Sequence, residues 1–146
     1  MMCLLVATDG SEHAIHAAEL ALRLVRELKQ AEVVVVNVGH IPEVAFAAAG
    51  TPGASVDMAG LIESLDRAGQ QILDRTASVF AGVNVPVRRD YRTGNPAVEI
   101  VGAAREHKAD LIIMGSRGLG RVSGLVLGSV SEQVLHAAHR PVLIVR

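Results

Sequence analysis

The chain has 146 residues, half of them apolar, with a formal net charge of −1 and only Phe46, Phe80 and Tyr91 as aromatics. One core fits this length, and with so few aromatics it must be aliphatic, as in a buried sheet covered by helices. The charge balance argues against a nucleic-acid partner, the lone Cys3 excludes an internal disulfide, and no apolar run approaches the ~20 residues of a membrane span.

In chain order, "CLLVATD" (3–9) and the β-branched "AEVVVVNV" (31–38) read as buried strands. Between them Glu12, His16, Glu19, Arg23, Arg26 and Gln30 recur at helical spacing, opposite Ile15, Ala18, Leu22 and Val25. That is an amphipathic helix, and strand, helix and strand make a right-handed crossover with parallel strands. Residues 39–56 break the rhythm with Gly, Pro and small residues, and read as an insertion, either a plain connection or a lid. A second helix covers 57–81, "VNVPVRRDY" (83–91) a strand, and "NPAVEIVGAAREHK" (95–108) a helix with Asn95 as cap and Pro96 at its first position. "ADLIIMG" (109–115), "SVSEQVLHAAH" (129–139) and "RPVLIVR" (140–146) follow as strand, helix and strand. Five strands alternating with four helices predict a single doubly wound α/β domain over 1–146. With no cleavable leader pattern at its start, a soluble cytoplasmic protein is the expectation.

"MGSRGLGRVSGLVLGSVSE" (114–132) holds five of the fourteen glycines. It begins at the carboxyl end of the fourth strand, as "ATDG" does after the first; in open parallel sheets ligands bind outside such ends, where the winding reverses. Glycines let main-chain N–H groups approach an anion, and the helix opening at Ser129 adds unpaired donors. Arg117 and Arg121 offer charge beside them, or are solvated. The P-loop does not fit, because no lysine follows a glycine, nor does the dinucleotide fingerprint, because Gly118, Gly120 and Gly124 have the wrong second spacing and follow the wrong strand. Plainer roles also exist. Ser129 and Glu132 have the spacing of a capping box, and Asp9 competes with Ser11 to cap the first helix or else contacts a ribose or a phosphate-bound magnesium.

Together, "LLVATDGSEHA", "VVVVNV", "GNPAVEIVGAAREHKADLIIMGSRG" and "GSVSEQVLHAAHRPVLIV" resemble the universal stress protein family across nearly the whole chain. Gly115, Gly118, Gly128 and Ser129 match the nucleotide motif of its ATP-binding branch: Gly, two residues, Gly, nine residues, Gly and Ser or Thr. The resemblance implies a Rossmann-like domain of the adenine nucleotide alpha hydrolase type, five parallel strands in the order 3-2-1-4-5 with helices on both faces. It further implies that Gly115, Gly118, Gly128 and Ser129 surround ribose and phosphates, with Arg117, Val130 and Ser131 alongside. Asp9 would lie near ribose and magnesium, Ala7 beside the adenine, and the Val38 backbone would read it, with Met114 also among the nucleotide-binding residues. ATP is the implied ligand, with magnesium its candidate companion. A homodimer through 141–145 is the implied assembly, an exposed apolar edge strand being a natural contact.

Other groups offer less. His136 and His139 are one helical turn apart but lack a third ligand, and His13, His16, His40 and His107 are isolated. Ser116, Ser123, Ser129 and Ser131 are outside any Gly-x-Ser-x-Gly elbow, and no water-positioning group is evident, so a regulatory nucleotide with slow hydrolysis at most is expected. A dedicated Mg-dependent ATPase or phosphotransferase, and a nucleotide-free dimeric adaptor, are the rivals.

Overall fold

The apolar runs become strands because each supplies side chains to two cores at once. A computed structural model describes residues 1–118 and 127–146. In it β1 (Met2–Ala7), β2 (Ala31–Gly39), β3 (Val87–Thr93), β4 (Leu111–Gly115) and β5 (Val142–Val145) form one parallel sheet in the order β3-β2-β1-β4-β5. Successive side chains point to opposite faces. Leu5, Ala7, Val34, Val36, Ile112 and Met114 therefore join one core, and Leu4, Val6, Val33, Val35 and Ile113 the other.

Two helices cover each face. α1 (Glu12–Glu27) and α3 (Met58–Ala77) close the second core with Ala17, Ala18, Ala21, Leu73 and Ala77. α4 (Pro96–Glu106) and α5 (Ser129–Ala137) close the first with Ile100, Ala103, Ala104 and Val134. The buried stripe of α1 is narrower in side-chain volume than the sequence pattern suggests: Ala14, Ala17, Ala18 and Ala21 are buried, while Ile15 and Leu22 are half-buried. Small residues there bring the helix backbone close to the sheet. α4 opens as expected, with Asn95 Oδ1 accepting the Val98 N–H at 3.1 Å and Pro96 at the first position.

The insertion is not irregular throughout. It contains α2 (Glu43–Ala49), a helix the sequence reading did not include, started after Pro42 and with no buried residue. "EVAFAAA" is rich in the strongest helix former, yet too short and too uniformly apolar to show a helical period.

The sheet edges differ. β3 carries Arg88 paired with Glu32 at 3.3 Å, Arg89 with Asp74 at 3.1 Å, and Arg92 among Asp90, Glu99 and Glu106. Charges of this kind discourage pairing with another strand, though each exposed ion pair adds only ~0–1 kcal/mol of stability. β5 presents Val142, Leu143, Ile144 and Val145, all half-buried, and among the described residues pairs only with β4.

Candidate functional site

The carboxyl ends of β1 and β4 diverge at the middle of the sheet, where winding reverses. Strand β1 ends at Ala7 and the chain turns through Thr8, Asp9 and Gly10, the last at φ +79°, a left-handed conformation open to glycine. Ser11, not Asp9, caps α1, its hydroxyl accepting the Ala14 N–H at 3.3 Å. Asp9 Oδ1 accepts the Ser11 N–H at 2.9 Å and so stiffens the turn.

β4 ends at Gly115 beneath α1. A Cβ there would lie 2.8 Å from the His13 backbone and 2.9 Å from the Ala14 nitrogen, so the glycine is required first by the helix crossing above it. A Cβ on Gly118 would overlap the Asp9 carboxylate, which makes the two residues direct neighbours across the crevice. The chain returns at Gly128, whose N–H donates to the Ser116 carbonyl at 2.6 Å.

That return shifts the start of α5. Gly128 occupies the cap position with no side-chain bond, and Ser129 is the first helical residue, so the capping box expected from Ser129 and Glu132 does not form. Ser131 supplies the fastening, its hydroxyl donating to the carbonyls of Gly115 at 2.9 Å and Ser116 at 3.3 Å. α5 opens at the crevice, which Gly128, Ser129, Val130 and Ser131 all line, and the first N–H groups of a helix are the ones its own turns do not use.

Between these elements lies a hollow of about 380 Å³. Ala7, Val38 and Met114 line its apolar part; Asp9, Gly115, Arg117 and Gly118 line the rim at β1 and β4; Gly128, Ser129, Val130 and Ser131 line the α5 end. All eleven residues singled out from the sequence therefore border one space. Arg121, Gly120, Gly124 and Ser123 lie outside the described residues. Residues not anticipated also line it, among them Thr8, Val36, Pro96 and Ile100. Val36 was within reach, two residues before Val38 and on the same strand face. Ile100 was not, because sequence alone does not say which turn of α4 faces the sheet. His136 and His139 are exposed, and no group of three metal-binding side chains occurs among the described residues. No helix among the described residues is long and apolar enough to cross a membrane.

A doubly wound α/β domain with one hollow at its switch point, apolar against the sheet and rich in N–H donors at a helix start, is the class of protein that fold and site define. The chain belongs to the universal stress protein family, whose profile matches residues 2–146. It is 35% identical over 144 residues to universal stress protein MJ0531 of Methanocaldococcus jannaschii, covering 98% of this chain and 81% of that one. Among solved structures, MJ0577 of the same organism superposes with a TM-score of 0.79 at 26% identity, covering 99% and 94% of the two chains. The universal stress protein of Archaeoglobus fulgidus solved with dAMP has a TM-score of 0.68 at 21% identity, covering 100% and 98%. A universal stress protein solved with cAMP has a TM-score of 0.70 at 24% identity, covering 99% and 97%. The last two likenesses carry the fold.

Proposed function

We propose that this protein binds an adenine nucleotide, ATP foremost, in the hollow at the switch point, and that the nucleotide acts as a regulatory ligand of a cytoplasmic stress-response module. The observation that carries this reading is the chemical division of one space: apolar side chains of β1, β2 and β4 at one end, helix N–H donors and Arg117 at the other. An adenine suits the first and phosphates the second.

In this reading Ala7, Val38 and Met114 hold the base, and Gly115, Gly118, Gly128 and Ser129 admit ribose and phosphates close to the backbone. The α5 start, Val130 and Ser131 included, offsets phosphate charge together with Arg117. Asp9 serves the ribose or a magnesium ion; bound magnesium would neutralise phosphate charge beside that carboxylate. Ser131 is already committed through its hydroxyl to β4, so its main-chain N–H is the group left for an anion. Relatives in fold that hold dAMP and cAMP support the choice of an adenine ligand.

Regulation requires that nucleotide favour one conformation over another, with a difference in affinity between the two. Calorimetry with ATP and magnesium should give saturable one-site binding; no heat at millimolar nucleotide would leave the dimeric adaptor in place of this reading. Single-turnover assay should show slow phosphate release at most. Rapid release abolished by Asp9→Ala would make the protein an ATPase instead.

The same reading includes a homodimer through 141–145. Its support is the half-buried apolar β5 edge, in contrast to the charged β3 edge. Light scattering at micromolar concentration should give twice the chain mass, and a monomer would remove the dimer.

A further inference from the structure

A single polar residue interrupts the apolar run of β2. Val33 and Val35 are fully buried on the α1 and α3 side of the sheet, and Asn37, next in that alternating set, is only 5% exposed. A valine at 37 would continue the core, whereas a buried amide is unfavourable unless its hydrogen-bonding groups are used. Asn37 Nδ2 is used: it donates to the Thr8 carbonyl at 2.8 Å.

That carbonyl belongs to the residue just past β1, where the ladder from β2 closes with the Thr8 N–H donating to the Val36 carbonyl at 2.9 Å. The Thr8 side chain is held too. Its Oγ1 lies 3.0 Å from Oγ1 of the fully buried Thr76 on α3, and accepts the Gly10 N–H at 3.2 Å. Neither Asn37 nor Thr76 lines the hollow. Both act on Thr8, and the next residue is Asp9, whose carboxylate adjoins Gly118.

We propose that Asn37 is a positioning residue of the nucleotide site: by fixing the Thr8 carbonyl it sets the direction in which the Thr8, Asp9 and Gly10 turn presents the Asp9 carboxylate to the ligand, with Thr76 bracing the turn from α3. The inference rests on the nucleotide reading above. It also explains why a buried polar cluster stands directly behind the crevice, on the face of the sheet opposite the hollow.

A double-mutant cycle tests it, with magnesium-ATP affinity measured by calorimetry for the full chain, Asn37→Val, Asp9→Ala and the double variant. Asn37→Val should weaken binding about tenfold when Asp9 is present and less than about twofold in the Asp9→Ala background. Equal losses in both backgrounds would show that Asn37 acts only on the fold, and would overturn the positioning role. Unchanged affinity in Asn37→Val would do the same. Should Asn37→Val fail to fold, Thr76→Val, which removes a hydroxyl and keeps the shape, takes its place in the cycle, with the same losses expected and the same two results overturning the role. If the unaltered protein binds no nucleotide, the nucleotide reading falls and the positioning role with it; binding by the unaltered protein with an additive cycle sinks the positioning role alone.

Discussion

The two faces of the sheet end differently where the strands run out. On one, Thr76 of α3 packs against the turn after β1; on the other, a hollow opens beside Pro96 and Ile100 of α4 and the start of α5. The helices on the two faces also differ in length. α1 and α3 have 16 and 20 residues, about 24 and 30 Å of helix, whereas α4 and α5 have 11 and 9, about 17 and 14 Å. On the side of the long helices, Thr76 of α3 reaches the turn after β1, its Oγ1 3.0 Å from that of Thr8. The short ones open at the crevice, where Pro96 of α4 and Ser129, Val130 and Ser131 of α5 line it. The candidate site is thus the unfilled half of a layered core, with the filled half behind it.

Filling the filled side further should cost most. Gly69 of α3 lies under the Tyr91 ring, and a Cβ there would lie 2.6 Å from Tyr91 Cδ2 and 2.9 Å from Asn37 Oδ1. Gly69→Val should lower stability by about 3 kcal/mol, read as a reduced urea midpoint, even though valine is the better helix former. A neutral result would mean that α3 can withdraw from the sheet, and the contrast between the faces would be lost.

The hollow side should respond in the opposite sense. Ala7 is buried by neighbouring residues yet borders the hollow, so Ala7→Leu places methyl groups in that space. Stability should change by less than about 1 kcal/mol while ATP affinity falls about thirtyfold, a split visible by comparing urea melts with calorimetry. Equal damage to both would show that the space is needed by the fold. Gly118→Val is a milder version at the rim: its side chain would displace the Asp9 carboxylate, and affinity should fall about tenfold with the fold intact. Unchanged affinity would remove Gly118 from the site.

The sequence made one side of this contrast far easier to see than the other. Strands and crossovers were legible because four apolar runs and the alternating stretch before Tyr91 stand between helical patterns, set off by Gly, Asp, Asn or Pro. The flanks of the crevice, Asp9 and Gly115, were legible from strand ends and one glycine-marked stretch, whereas Ala7 and Val38 came from the family resemblance. Gly115 was recognised as important for a partial reason, since the backbone of α1 above it, invisible in a linear pattern, excludes a side chain before any anion does. The capping role that spacing offered Ser129 as an alternative is not taken up, because Gly128, returning to Ser116, is the helix cap one residue earlier. The support behind the site was not legible at all. Asn37 in "VVVVNV" and Thr76 in a helix are unremarkable until the fold brings residues 8, 37 and 76 together.

The smallest effect concerns Tyr91, which completes the filled side. Its hydroxyl is buried without a hydrogen bond of good geometry; burial raises its pKa above the usual 10, and the nearby Asp66 carboxylate, which favours the protonated phenol, adds to this. A raised folded pKa means that the folded state keeps a proton the unfolded chain gives up. Tyr91 therefore favours the folded state below pH 10, and that contribution is lost as the pH rises above it. Tyr91→Phe retains the ring over Gly69 and deletes only the hydroxyl, so stability at pH 8 should change by no more than about 0.5 kcal/mol. Between pH 8 and 11 the variant should lose less stability than the unaltered chain, measured by urea melts at both values. A large loss at pH 8 would show that the hydroxyl has a strong partner after all, and would move Tyr91 from the packing of the filled side into its polar cluster.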